Sequence, residues 1–169
     1  MLVYITYYQT PLGEMLGAAA DGAIIGLWFI GQRYFPADAA AWKEHPDDPA
    51  LRKLGFWLET YFRSENPTVD FPLAPRGTAF QTAVWAVLRE IPYGQTTTYG
   101  KLARRLNQTR PHPTSARAVG TAVGHNPASL IIPCHRVVGA SGSLTGYAGG
   151  LPRKAALLWL EGAVNPQSM

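Results

Sequence analysis

The sequence predicts an α/β unit followed by a mostly helical unit that carries a helix-turn-helix. Three observations predict it. Val3–Gln9, Glu14–Ala20 and Ala23–Ile30 are apolar or β-branched runs separated by turn residues, the pattern of a three-stranded meander. Leucines and aromatics recur at helical spacing from Leu51 to Phe62. Beyond residue 77 the periodic segments are short, helical and cut by glycine and proline.

In chain order, Thr10-Pro11-Leu12-Gly13 and Asp21-Gly22 supply the two turns of the meander. Residues 31–47 read as a loop. Asp48 caps a helix with Pro49 in its first turn, and Leu51, Leu54, Leu58, Tyr61 and Phe62 form its face. Asn66-Pro67 ends it. Pro72, Pro75 and Gly77 mark the boundary between a domain at 1–76 and a second at 77–169.

The second domain opens with a helix capped by Thr78, with Phe80, Val84, Val87, Leu88 and Ile91 along one face. Pro92-Tyr93-Gly94 breaks it. Short helices are predicted over 99–106 and 115–123, the latter burying Ala116, Val119, Gly120 and Val123 and stopped by Gly124. Two short helices joined by a turn suggest a helix-turn-helix. A last helix spans about 152–160 and stops at Gly162.

With 47% apolar residues in a chain of 169, a real core is expected. Met1–Thr10 lacks a basic leader and carries three tyrosines, and the longest apolar stretch is too short for a membrane span. A cytoplasmic location is expected. The net charge is +4, and Lys101, Arg104, Arg105, Arg110, Arg117, Arg136, Arg153 and Lys154 all fall late. After Glu90 the only acid is Glu161. That asymmetry fits either a phosphate-bearing partner or an ordinary solvated face.

Cys134 is the only cysteine, so an intrachain disulfide and a thiolate-rich metal site are excluded. It sits in Ile131-Ile132-Pro133-Cys134-His135-Arg136-Val137. A thiol becomes a nucleophile when a neighbour raises its thiolate fraction. Adjacent residues of an extended backbone point apart, so a turn or a bridging water must couple Cys134 to His135. The alternative is a buried structural cysteine. Glu161, at the unfavourable end of the last helix, invites a cationic partner, and His135 is a candidate. Arg117 between Ala116 and Ala118 can enter a groove or rest in solvent. Asn126-Pro127 suits a turn braced by the amide.

These residues together resemble the O6-alkylguanine-DNA alkyltransferases. The likeness runs through Phe80, Val84-Trp85, Ile91-Pro92-Tyr93-Gly94, Tyr99-Gly100 and Ala116-Arg117-Ala118-Val119-Gly120. It continues through Asn126-Pro127, Pro133-Cys134-His135-Arg136-Val137, Thr145-Gly146-Tyr147-Ala148-Gly149-Gly150, Leu157-Leu158 and Glu161-Gly162. It covers roughly residues 77–162 in family order.

The resemblance implies a small ribonuclease-H-like α/β domain followed by a mostly α domain. It implies irreversible, single-turnover transfer of an alkyl group from O6-alkylguanine, and also O4-alkylthymine, to Cys134. The partner would be duplex DNA bound through its minor groove with the damaged base flipped out. The protein would be a monomer able to assemble cooperatively along DNA, with no cofactor and no membrane. His135, through a water, would be the base; Glu161 would orient it and Asn126 would brace the turn. Arg117 would fill the vacated stack, with Ser115, Ala116 and Ala118 around it at the DNA. Tyr99, Val137, Tyr147 and Ala148 would line the pocket, and the carbonyls of Cys134 and Val137 would accept from the guanine amine.

Two departures stand out. The Asn107–Thr114 turn is longer than is usual in the family, and its Arg110 and His112 either add phosphate contacts or shift the second helix. Some relatives hold a structural zinc on cysteines in the first domain; this chain has none there, and no metal is expected. Two rivals differ in class: a base-flipping module that binds without reacting, and a cysteine hydrolase.

Overall fold

The computed structural model describes residues 2–163, so the last six residues of the predicted second domain lie outside the described residues. The chain divides into two compact units. One is Met1–Arg76 with Pro127–Ser129; the other is Gly77–Asn126 with Leu130–Met169.

The first unit is built on β1 (Tyr4–Thr10), β2 (Gly13–Ala20) and β3 (Ala23–Phe29), an antiparallel meander as expected. β2 and β3 are buried along nearly their whole length, because both sheet faces are covered. On one side α1 (Pro49–Phe62) buries Leu51, Leu54, Trp57, Leu58 and Tyr61. Its cap is the one the sequence suggests: the Asp48 carboxylate accepts from the N–H groups of Ala50 and Leu51. Tyr8 donates to the Leu51 carbonyl at 2.7 Å and fastens the helix to β1. The helix stops at Phe62, several residues before Asn66-Pro67.

The other face is covered by residues that read as loop. Trp28 packs with Phe35, Ala39 and Trp42. Ala39–Ala41 is a 3₁₀ turn, and β4 (Lys43–Glu44) pairs parallel with β1, giving the order β3-β2-β1-β4. A two-residue strand has no periodicity to detect. The open edge of β3 is closed by Pro72–Ala74 and by Pro127–Ser129, through Ile24 N–H to Pro72 O and Leu27 N–H to Pro127 O, each 2.8 Å.

In the second unit, α2 (Ala79–Leu88) starts with a reciprocal cap. Gln81 N–H donates to the Thr78 hydroxyl, and Thr78 N–H donates to the Gln81 side-chain oxygen. Its core residues are Val84, Trp85 and Leu88, while Phe80 and Val87 are half-buried. Trp85 turns inward because its indole N–H finds the Ala122 carbonyl at 2.9 Å. α3 (Tyr99–Asn107) and α4 (Ala116–Gly124) form the expected pair, capped by Thr98 and Ser115. α4 buries Val119, Ala122 and Val123; Ala116 faces solvent and Gly120 is half-buried, so the buried stripe is turned from the one predicted. β5 (Thr97–Thr98) pairs parallel with β6 (Val137–Val138). α5 (Leu151–Leu160) ends at Glu161, its C-cap.

Candidate active site

The site is built where α4 runs into the cysteine segment. Asn126 donates from its side-chain amide to the Ile132 carbonyl at 2.7 Å. The Cys134 N–H reaches the same carbonyl at 2.8 Å, across Pro133 at φ −81° and ψ 65°. That is an inverse γ-turn. Cys134–Arg136 then forms a 3₁₀ turn. The backbone here is therefore tightly wound, and a turn is one of the two means that the sequence reading named for coupling Cys134 to His135. Leu130, four residues before the thiol, is buried in the left-handed region at φ 71°, a conformation that costs a non-glycine residue about 1–2 kcal/mol.

His135 is fully buried, and its Nε2 lies 2.7 Å from Oε2 of Glu161. A carboxylate only accepts, so Nε2 carries the proton and the opposite nitrogen, Nδ1, is the basic one. Arg136 donates from Nε to Glu161 Oε1 at 2.8 Å, from Nη2 to Oε2 at 3.1 Å, and from Nη1 to the Ile91 carbonyl at 2.7 Å. Its guanidinium also stands over the Tyr93 ring. The Gly94 N–H donates to Oε1 at 3.3 Å. Glu161 is thus the buried centre of a charged cluster.

Burial pushes the Cys134 thiol upward, against its hydrogen bond with Asn126 and the nearby Lys154 cation. Burial therefore favours the protonated thiol at rest. Burial also pushes His135 down, with Glu161 opposing. A protonated thiol beside a neutral imidazole is the correct starting pair for proton transfer, because the imidazole can accept.

Tyr99, at the start of α3, donates its hydroxyl to the Thr145 carbonyl at 3.0 Å, and burial holds that hydroxyl protonated. Lys154 on α5 is fully buried and donates to the carbonyls of Thr145 and Gly146 at 2.8 and 3.0 Å. Burial lowers its pKa to about 8, opposed by Cys134. These bonds pin the loop that carries Tyr147 and Ala148, both half-buried. Val137 is buried in β6.

Ser115, Ala116, Arg117 and Ala118 are all exposed at the start of α4, and Arg117 forms no ion pair among the described residues. Asn126, Tyr99 and Lys154 act on the Cys134 sulfur and His135 pairs with Glu161 beside it, while residues 115–118 form a separate exposed surface. Sequence reasoning missed Arg136 and Lys154 as members of the site. The signal for Lys154 was present: with Leu157, Leu158 and Glu161 it forms one helical stripe. Among the described residues there is no group of His, Cys, Asp or Glu arranged to hold a metal.

Two family models match the chain. Residues 3–75 match the ribonuclease-like domain of 6-O-methylguanine DNA methyltransferase, and residues 79–163 match its DNA binding domain. A methylated-DNA–protein-cysteine methyltransferase of Haemophilus influenzae is 44% identical over 160 residues, covering 94% of this chain and 86% of the relative. The crystal structure of Mycobacterium tuberculosis O6-methylguanine methyltransferase superposes with a TM-score of 0.83 at 41% identity, covering 98% of this chain and 96% of that one. The Mycobacterium tuberculosis OGT in complex with DNA gives a TM-score of 0.82 at 40% identity, covering 95% and 93%.

Proposed function

The chain belongs to the 6-O-methylguanine DNA methyltransferase family, and from that premise we propose that it repairs duplex DNA by moving an alkyl group from O6 of guanine to Sγ of Cys134. The supporting observation is the single buried thiol on a 3₁₀ turn whose next two residues both engage the carboxylate of Glu161.

In this reading His135 takes the thiol proton at Nδ1 through a bridging water. The imidazolium that forms is stabilised by Glu161, already in place on Nε2. Sulfur attacks the alkyl carbon, an S–C bond forms and the C–O6 bond breaks. Guanine leaves as its O6 charge is met by the Tyr99 hydroxyl, which turns to it from the Thr145 carbonyl, and by the Ala148 N–H, and a proton returns to the ring. The carbonyls of Cys134 and Val137 accept from the guanine amine, and Tyr147 walls the pocket. The thioether has no route back, so each molecule acts once.

Cys134, a residue only 6% exposed, is out of reach of a base stacked in a helix. The nucleotide must be everted, and removing it from the stack costs a few kcal/mol. α4 enters the minor groove with Ser115, Ala116 and Ala118 against the backbone, and Arg117 fills the gap. O4-alkylthymine presents the same O-alkyl geometry and is a second substrate. The protein acts as a monomer in the cytoplasm, able to assemble cooperatively along DNA. No helix among the described residues is long and apolar enough to cross a membrane.

Intact-mass analysis after mixing with duplex containing O6-methylguanine tests this. One added methyl, located on Cys134 and not exceeded at excess substrate, is expected. Repaired DNA in catalytic excess over protein would overturn the single-turnover reading. Cys134→Ala is expected to lose methyl acceptance and keep its hold on alkylated duplex.

A further inference from the structure

The turn between α3 and α4 is a built loop. Asn107, the last residue of α3, uses both ends of its amide on Thr114: its Oδ1 accepts from the Thr114 N–H at 2.7 Å, and its Nδ2 donates to the Thr114 carbonyl at 3.2 Å. That clasp closes residues 108–113 at their base. It also fixes the chain one residue before Ser115, the cap of α4. The loop is therefore anchored to the end of α4 whose first residues are exposed.

Within the loop, Arg110 lies over the ring of Phe80, with its guanidinium carbon 5.0 Å from the ring centre. Its Nε is enclosed without a hydrogen-bond partner, and no hydrogen bond or ion pair among the described residues holds the guanidinium. No carboxylate is at hand. Between Glu90 and Glu161 the sequence has no acid; Glu90 is taken by Arg105 and Glu161 by Arg136 and His135. Lys101, Arg104 and His112 are exposed nearby in sequence. An arginine stacked on an aromatic face keeps its donor edge ordered without consuming it. Such an edge, in a unit short of counter-charge, is matched to the paired oxygens of a phosphate.

We propose that the loop 108–113 is an additional phosphate-binding arm, in which Arg110 grips the DNA backbone next to the strand contacted by the start of α4. This rests on the reading of α4 as the DNA-facing helix. The arm adds affinity and register but no base readout, because phosphates carry no sequence information.

The test is the salt dependence of binding to undamaged duplex. Arg110→Met keeps an apolar cover on Phe80 and removes the charge. Its log K against log salt is expected to be shallower by about one unit, so its deficit relative to wild type shrinks about fourfold between about 50 and about 200 mM salt. Arg110→Lys, which keeps the charge, is expected to retain the wild-type slope. Alkyl transfer from free O6-benzylguanine, which needs no duplex, is expected to be unchanged in both. An unchanged slope in Arg110→Met, with wild type binding normally, would overturn the arm and leave the alkyltransferase reading intact. A fall in free-base transfer would make Arg110 a packing residue and also overturn it. Wild type that neither binds duplex nor accepts an alkyl group would sink the underlying reading instead.

Discussion

Nε2 of His135 and Oε2 of Glu161 stand 2.7 Å apart with neither side chain exposed to solvent. The contact crosses from the cysteine turn to the end of α5 and joins an imidazole, a carboxylate and the neighbouring Arg136 guanidinium in one buried cluster. A buried cluster of this kind contributes little stability if left whole and costs much if broken.

Glu161→Gln is accordingly expected to do two separable things. It leaves the Arg136 charge buried without its partner, lowering stability by about 3–5 kcal/mol. It also removes the charge that stabilises imidazolium, slowing alkyl transfer by about 100-fold or more. Denaturant midpoints and single-turnover rates, measured on the same preparation, read the two effects apart. A variant that is less stable yet transfers at the wild-type rate would remove Glu161 from the chemistry.

His135 predicts a pH dependence with a definite sign. Burial lowers its pKa beneath 6.5, so the unfolded chain binds the proton more readily than the native one. Its contribution to stability is whole above pH 6.5 and is lost as pH falls through the lower native value. Urea midpoints taken from neutral pH downward are expected to fall more steeply for wild type than for His135→Asn. The alkyl-transfer rate is expected to fall over the same acidic range, as the imidazole becomes protonated and can no longer accept.

Lys154→Met removes the two bonds to the carbonyls of Thr145 and Gly146 and the cation that favours the Cys134 thiolate. The segment that carries Tyr147 and Ala148 loosens, and a misplacement of about 1 Å can cost about 100-fold in rate. Transfer from free O6-benzylguanine is expected to fall by up to that factor. The pH at which iodoacetamide traps half of the thiol is expected to rise. An unmoved thiol titration would reduce Lys154 to a fastener of the loop.

Gly94→Ala should be damaging out of proportion to one methyl group. Gly94 has φ +80°, and a Cβ there would meet the Glu161 carbonyl oxygen at 3.2 Å. The left-handed backbone alone costs an alanine about 1–2 kcal/mol. The shift also draws the Gly94 N–H off Oε1 of Glu161. A melting temperature equal to wild type would show that the glycine is there by accident.

Much of this was legible in the chain. The meander, the Asp48 and Thr78 caps and the helix pair follow from turn residues, capping residues and spacing. Cys134, His135 and Glu161 stood out by residue type. What stayed hidden depends on contacts between distant segments. The cover of Phe35, Ala39 and Trp42 has no periodic signature. The 3₁₀ turn at Cys134 arises from Pro133 and from Asn126, eight positions earlier, which holds the Ile132 carbonyl. The thiol's protonation follows from burial, which adjacent cations in the sequence cannot reveal.

The two-residue ladder of β5 and β6 joins Thr98, the cap of α3, to Val138, and Thr97 to Val137, one step past the cysteine turn. Its few hydrogen bonds act as a gauge block. Under the proposed function, that ladder ties the cysteine turn to the cap of α3, so a movement of the helix pair on DNA carries the sulfur with it.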